Sequence, residues 1–464
     1  MNILKFGGSS VSSLDSLQNM IRIIGSYDAN EDGALLLVVS ALKGVTNDLA
    51  CTFDLVSKKD IEYKSCFKKI KETHQKFVET MFPANKHVML RTLLEPIETE
   101  LEFCLSRLYE QEDIGNKDSD VILGFGEIFS AQIIRTYLEL NGNQFDYLDA
   151  RKLIITDDNH GNANVNWRLT TQRINSFFYK NSKNYVVTGY IGATSEGAST
   201  TFGRGGSDHT ATVFGTVLGT QCVTKWTDVN GIMTADPNRV SNPHSLEKIT
   251  FKELFSIAKF GSNVLVHPNA IVHLSKKNIN FLIRNTFNYN FPGTSVCNQS
   301  TNTNKVLSVN QNCCIVGLKK GYSISKLLLK EIISRDYLFF RLKSYALNGQ
   351  FESYYVISND FLHFFNTEAH KLEHELNDFG NLRDAEILYE DISLVTMTSD
   401  NMNKAYEINR IDSFLKGRGS QLLVARLFSS AICFIFDTSE VNRTLNFLHE
   451  ELIEYKEEDL RGIG

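Results

Sequence analysis

Thr201-Phe202-Gly203-Arg204-Gly205-Gly206-Ser207-Asp208 lies between a strand-like run, residues 184–192, and a helix-like run, residues 207–218. Gly203, Gly205 and Gly206 let the backbone take positive φ and come close to a ligand. Ser207 or Asp208 is placed to cap the helix that follows, whose N-terminus offers N–H groups and a positive dipole end to an anion. Arg204 adds a planar fork that fits a carboxylate or a phosphate. Asp208 adds a carboxylate for a cation or a metal. Taken alone, the same stretch also fits a tight strand–helix turn with a solvated arginine.

Two more strand ends run into turns. Asn2-Ile3-Leu4-Lys5-Phe6-Gly7-Gly8-Ser9-Ser10 places Lys5 at the end of a strand, just before a pair of glycines. Trp226-Thr227-Asp228-Val229-Asn230-Gly231-Ile232-Met233-Thr234-Ala235-Asp236-Pro237 is a strand end followed by turns. Strands are expected at residues 2–6, 34–40, 144–148, 153–156, 185–189, 222–227 and 280–284. Helices are expected at 14–25, 48–57, 61–82, 88–112, 127–140, 168–179, 208–218 and 251–260. This alternation predicts an α/β fold, a mainly parallel open sheet between helices, with ligands beyond the C-terminal strand ends. Residues 61–112 read as a charged amphipathic helical hairpin packed on that domain. Neither GxxxxGK(S/T) nor GxGxxG occurs, so the sequence carries no P-loop or dinucleotide fingerprint.

The three glycine-bearing pieces resemble the aspartate kinase family, within the amino-acid-kinase superfamily, whose patterns are KFGG(S/T)S, GRGGSD and WTDVxGIYTADP. They occur in the family's order, and the resemblance is strong over about residues 1–295. It implies transfer of the ATP γ-phosphoryl group, with Mg2+, to the side-chain carboxylate of L-aspartate, the alternatives being a related amino-acid or carbamate kinase with another acceptor and a catalytically weak regulatory homologue. The product would be 4-phospho-L-aspartate, on the way to lysine, threonine, methionine and isoleucine. It also implies roles. Lys5 would bridge the β- and γ-phosphates, with Gly7, Gly8 and Ser9 giving further donors. Ser40-Ala41-Leu42-Lys43-Gly44-Val45-Thr46-Asn47 resembles SAxxGVTN, and Thr46 would bond the substrate carboxylate; Thr46 or Asn47 also reads as a helix cap. Gly124-Phe125-Gly126-Glu127-Ile128-Phe129-Ser130 resembles a GExxS segment, in which Glu127 takes the α-ammonium group. From the residues alone, Glu127 is equally a first-turn glutamate facing a helix dipole. Arg204 and Ser207 would clamp the α-carboxylate. Asp208 would orient Lys5 or the acceptor, or steady Mg2+.

Thr227, Asp228, Met233, Asp236 and Asn238 match the nucleotide wall, as does Asn263 in Phe260-Gly261-Ser262-Asn263-Val264-Leu265-Val266-His267-Pro268. Departures from the family are Met233 for Tyr, Asn263 for Lys, and one extra residue before His267. The family's Arg falls at Asn238 or Arg239. A carboxylate acceptor is already an anion, so positioning and charge neutralisation carry the chemistry and no His or Cys dyad is required.

From Phe291-Pro292-Gly293-Thr294 the texture changes, and a polar linker at 298–304 places a domain boundary near residue 300. The resemblance implies two divergent ACT-like modules over 305–464, which in the family bind an amino-acid effector and pair subunits. A homodimer or higher homo-oligomer is expected on that ground. Expected elements are strands at 306–318, 393–398, 422–427 and 431–436, and helices at 402–415 and 441–454. The family's glycine-rich turn, serine-rich strand and effector loop are largely missing.

Composition narrows the partners. A net charge of −6 offers no basic face to nucleic acid. The apolar run at residues 34–42 is far too short to span a bilayer. No leader pattern precedes the first strand, and the eight cysteines lack a CxxC, which predicts reduced thiols in a cytoplasm. His370-Lys371-Leu372-Glu373-His374 fits the zinc pattern HxxEH, yet lacks a third ligand and reads as a charged surface helix.

Overall fold

The computed structural model describes residues 1–28, 33–181, 183–203, 205–261, 266, 268–299, 305–318, 338–342, 351, 353–362, 385–400, 402–420 and 422–454. The HxxEH motif, Arg204 and Asn263 lie outside these residues. The chain forms two compact units, Met1–Ile232 with Val266–Asn298, and Met233–Leu265 with Gln299–Gly464.

In chain order, the first unit begins with β1 (Asn2–Phe6), α1 (Leu14–Asp28), β2 (Leu35–Val39) and α2 (Val45–Ser57). Three long helices follow: α3 (Tyr63–Met81), α4 (His87–Glu110) and α5 (Asn116–Leu140). Then come β3 (Asp146–Leu148), β4 (Ile155–Thr156), α6 (Trp167–Tyr179), β5 (Tyr185–Thr188), β6 (Ile191–Thr194), β7 (Ser199–Thr201), α7 (Gly206–Leu218) and β8 (Cys222–Thr227). The second unit takes up β9 (Lys248–Thr250) and α8 (Phe251–Phe260), and the first resumes with α9 (Pro268–Lys277), β10 (Asn280–Asn285) and β11 (Thr294–Cys297).

Within the first unit the strands run in the order β3-β5-β2-β1-β8-β10-β11. All neighbours are parallel except β11, which runs against β10. Leu35–Val39 is five consecutive buried aliphatics. A strand of that kind has both faces covered, as the centre of a parallel sheet requires. The turns after β1, β2, β5 and β8 therefore share the C-terminal edge of one sheet.

The helical hairpin is α3 and α4. Phe67, Ile70 and Phe77 of α3 join Leu90, Leu94, Leu101 and Leu105 of α4 in the same buried cluster as Ile122, Phe129 and Ile133 of α5. The sequence places a helix over 127–140, but α5 starts eleven residues earlier, at Asn116, where the Asp118 carboxylate accepts from Gly115 N–H at 3.0 Å and steadies the first turn. Glu127 is thus in the middle of a helix and not in its first turn. α5 has the length and apolar composition of a membrane span, yet 72% of its most apolar window is buried inside the fold, as in a core helix.

Two expected caps are also corrected. α2 is capped by Gly44 at φ 90°, with Thr46 and Asn47 inside its first turn. α7 is capped by Gly205 at φ 73°, without a side-chain cap bond, so Ser207 and Asp208 lie inside the helix. A residue that must turn the chain through the left-handed region is best a glycine.

The second unit holds β12 (Val306–Leu318), β13 (Phe339–Leu342), β14 (Ser353–Ser358), β15 (Ala385–Thr398), α10 (Lys404–Gly417), β16 (Val424–Leu427), β17 (Ala431–Asp437) and α11 (Val441–His449). Its strands form an antiparallel sheet in the order β13-β14-β12-β15-β17-β16. Val309, Val395, Met397, Phe434 and Phe436 from the sheet pack with Ile411 and Leu415 of α10 and Leu445 and Leu448 of α11.

Candidate active site

Lys5 closes β1, and Lys225 stands opposite it in the parallel register of β8. Residues in register on adjacent strands point to the same face, and here both ammonium groups meet Asp208, in the first full turn of α7. Lys5 Nζ lies 2.9 Å from Oδ1, and Lys225 Nζ donates to Oδ2 at 2.7 Å. All three side chains are buried. Burial alone would push the Asp208 carboxyl up; Lys225 and Lys5 outweigh it and hold the carboxyl below the usual carboxylate range. For Lys225, burial pushes the ammonium down, Asp208 opposes this, and Lys5 adds a like-charge repulsion. Two ammonium groups on one carboxylate make the cluster positive. A buried cluster of that sign is costly unless an anion joins it.

The anion's place is set by glycines. A side chain on Gly7 would come within 3.6 Å of Lys5 Nζ, and one on Gly8 within 3.0 Å of the Ala41 carbonyl. Gly7 N–H donates to the Trp226 carbonyl at 3.2 Å, which ties this turn to the end of β8. Ser9 lies half-buried in the single turn Gly8–Ser10. Thr227 is buried at the end of β8 and donates to Asp228, which is exposed.

Glu127 lies beneath the turn after β2. Its Oε1 accepts from Ala41 N–H at 3.3 Å, while Oε2 is buried with no hydrogen-bond partner among the described residues. Burial pushes its carboxyl up to about 8, against the pull of Ala41 N–H and the Lys5 charge. Gly126 lets this part of α5 approach α2, since a Cβ there would meet Ala41 Cβ at 2.9 Å and Leu49 Cδ1 at 3.2 Å. Ser207 is buried against Gly189, where an added Cβ would come 2.7 Å from Ser207 Oγ. Thr46 is half-buried in the first turn of α2.

Lys5, Gly7, Gly8, Ser9, Thr46, Glu127, Ser207, Asp208, Thr227 and Asp228 are therefore all in the first unit. Met233, Asp236 and Asn238 belong to the second. There Met233 forms a bridge with Ser245, and Asp236 accepts from the backbone and side-chain nitrogens of Asn238. Arg239 is engaged by Gln311 and Asn442. Sequence reading missed Lys225. The available signal was a lysine inside an otherwise apolar strand, two residues before Thr227. It also passed over Asp120, a fully buried carboxyl near the start of α5.

Among the described residues no group of three or more His, Cys, Asp or Glu side chains is placed to hold a metal. Both Asp208 oxygens face ammonium groups, so the chain builds no carboxylate cage for a divalent ion there.

Known proteins resemble this chain. A model of the amino acid kinase family matches residues 1–285. A bifunctional aspartokinase/homoserine dehydrogenase from Daucus carota is 31% identical over 64% of this chain and 32% of its own length. The chain thus spans about a third of the length of that relative. An aspartokinase from Chlamydia pneumoniae is 26% identical over 98% of both chains. The crystal structure of E. coli aspartokinase III in complex with aspartate and ADP superimposes with a TM-score of 0.78 at 22% identity, over 97% of this chain and 100% of that one. With a family model covering more than half of its length and the fold of its parallel sheet in agreement, this chain belongs to the amino acid kinase family.

Proposed function

We propose that the protein is an aspartate kinase, moving the γ-phosphoryl group of ATP to the side-chain carboxylate of L-aspartate to give 4-phospho-L-aspartate. The observation that carries this reading is the buried Lys5–Asp208–Lys225 cluster beside the Gly7–Gly8 turn. Asp208 holds the two ammonium groups in place, so no reorganisation is needed when phosphate charge arrives. Lys5 then neutralises the β- and γ-phosphates, with the N–H groups of Gly8 and Ser9 as further donors, since Gly7 N–H is taken by the Trp226 carbonyl. Thr227 and Asp228 border the nucleotide in the same reading. Mg2+ arrives on the nucleotide phosphates, in keeping with its habit of binding through phosphate oxygens and few protein ligands.

Glu127 explains the choice of an amino acid as acceptor. A carboxyl buried with no partner for Oε2 among the described residues is a poor core residue and a good receptor for an ammonium group, whose arrival would ionise it. Arg204, Ser207 and Thr46 would take the substrate's carboxylates. The Chlamydia pneumoniae relative, an aspartokinase of matching length, supports the same acceptor. The catalytic domain then spans 1–297, with 305–464 as two ACT-like modules that receive an amino-acid effector and pair subunits in a homo-oligomer. All eight cysteines are free thiols, as suits a cytoplasmic enzyme.

The test is aspartate- and Mg-dependent ADP release, with hydroxylamine trapping of the acyl phosphate. Release with aspartate and none with glutamate or carbamate is expected. ATP binding without turnover on aspartate would refute the assignment. Lysine, threonine and methionine are the first effectors to add.

A further inference from the structure

Asp120 is fully buried near the start of α5, and its carboxylate gathers donors from two separate segments. Thr201 Oγ1, the last residue of β7, donates at 2.5 Å. His160 Nδ1 donates at 2.8 Å, and Gly161 N–H reaches both oxygens at 3.0 and 3.1 Å. Burial pushes the Asp120 carboxyl above its ordinary range, against the pull of Thr201, His160 and Gly161. A carboxyl kept at that cost beside a candidate site has a task.

The two gathered segments touch the glycine loop. Ala163 N–H donates to the Thr201 carbonyl at 2.9 Å. Gly203, at φ 71°, leaves room only for a hydrogen: a Cβ would meet the Gly161 carbonyl at 3.0 Å and Asn162 Oδ1 at 3.2 Å. The network continues to Tyr190. The Tyr190 hydroxyl is hydrogen-bonded to the Thr201 side chain. Tyr190 has φ 67°, a left-handed conformation that a non-glycine residue keeps only when its surroundings impose it. Its ring edge closes on Gly206, where a Cβ would lie 2.6 Å from Tyr190 Cδ2. Asp120 and Glu127 are seven residues apart on α5, so they lie on the same helix face two turns from each other.

We propose that Asp120 is a positioning residue for the substrate-carboxylate loop, holding Thr201 on one side and His160 and Gly161 on the other so that Gly203, Gly205–Asp208 and Tyr190 keep one geometry. The inference rests on the reading of that loop as the aspartate site. α5 then builds the acceptor pocket twice, with Glu127 facing the substrate and Asp120 fixing the loop around it.

The test is steady-state kinetics of the full chain carrying Asp120→Asn, which keeps the shape but turns an amide N–H toward existing donors. Loss of a charge-assisted hydrogen bond predicts a rise of about tenfold or more in KM for aspartate, with KM for ATP and kcat changed by less than about threefold. Thr201→Val removes the Thr201 and Tyr190 links alone and should raise the aspartate KM in the same direction by less. An unchanged aspartate KM in a folded Asp120→Asn, or equal rises in both KM values, overturns the proposal. If Asp120→Asn fails to fold, an unchanged aspartate KM in Thr201→Val overturns it. If the wild-type protein shows no transfer to aspartate, the assigned reaction fails and amide hydrogen exchange judges positioning by itself. Faster exchange of residues 159–163 and 199–203 in Asp120→Asn then supports the clamp, and unchanged protection refutes it.

Discussion

The two units each bury a carboxylate against cations, and they use it differently. In the first, Asp208 holds Lys5 and Lys225 at the end of parallel strands, beside a turn with no side chains. In the second, Glu407, in the first turn of α10, receives Lys305 at 2.6 Å, with Arg410 4.0 Å from its other oxygen. Lys305 and Glu407 are both buried. The charges are alike; the surroundings are not. The Glu407 pair ties α10 to the residue before β12. The Asp208 cluster sits where backbone N–H groups and glycines leave space for another anion. A buried ion pair is weak support for stability in general, but removing one partner strands the other. So the same type of substitution should read out as lost chemistry in one unit and lost stability in the other.

The largest effect is expected at Lys5. Lys5→Ala should lower kcat by about a thousandfold or more, since it removes charge stabilisation from the transferred group, while circular dichroism and the melting temperature show an intact fold. Near-normal turnover would dissolve the contrast between the units. Lys225→Met should follow, with kcat/KM for ATP down by about a hundredfold, because Asp208 loses one of the two cations that fix it. An effect confined to melting temperature would make this cluster a structural one, like that of Glu407. Lys305→Met should cost about 3 kcal/mol of unfolding free energy by leaving the buried Glu407 with only its longer contact to Arg410. Denaturant melts measure it, and both KM values should stay within about twofold.

The subtlest expectation concerns Glu127 and pH. Its folded pKa of about 8 lies above the ordinary 4.5. Between those values the folded state keeps a proton that the unfolded chain has lost. This group's contribution to stability is therefore fully present below 4.5 and falls as pH rises toward 8. Glu127→Gln should flatten that part of the stability–pH curve. In the wild type, kcat/KM for aspartate should climb with pH toward about 8, as the carboxylate form becomes available to an ammonium group. A flat wild-type profile in which Glu127→Gln changes nothing would remove Glu127 from the acceptor site.

The legible part of the site is the part coded by neighbours in the chain. Lys5 before Gly7–Gly8, and Ser207 and Asp208 after Gly203 to Gly206, announce themselves because a glycine turn after an apolar strand is a local event. The same holds for β2, whose five aliphatics admit few other readings. The hairpin α3–α4 was visible in its periodicity. The start of α5 was not, because Gly115 and Asp118 make an inconspicuous cap and the apolar pattern strengthens only near Ile122. The corrected caps at Gly44 and Gly205 have one cause: several residues there can bond a helix end, and the backbone chose the one that could turn left-handed.

The sequence by itself determined the alternation of strands and helices, the turns that leave room for an anion, and the family resemblance written on them. Each depends on interactions a few residues long. Tertiary structure alone decided that Lys225 stands beside Lys5 on the next strand, that Glu127 is buried deeply enough to hold its proton near neutrality, and that Asp120 clasps Thr201 and Gly161 at once. Those facts arise from pairing and burial between segments 40 to 220 residues apart, where charge, desolvation and register meet and no local pattern carries the information.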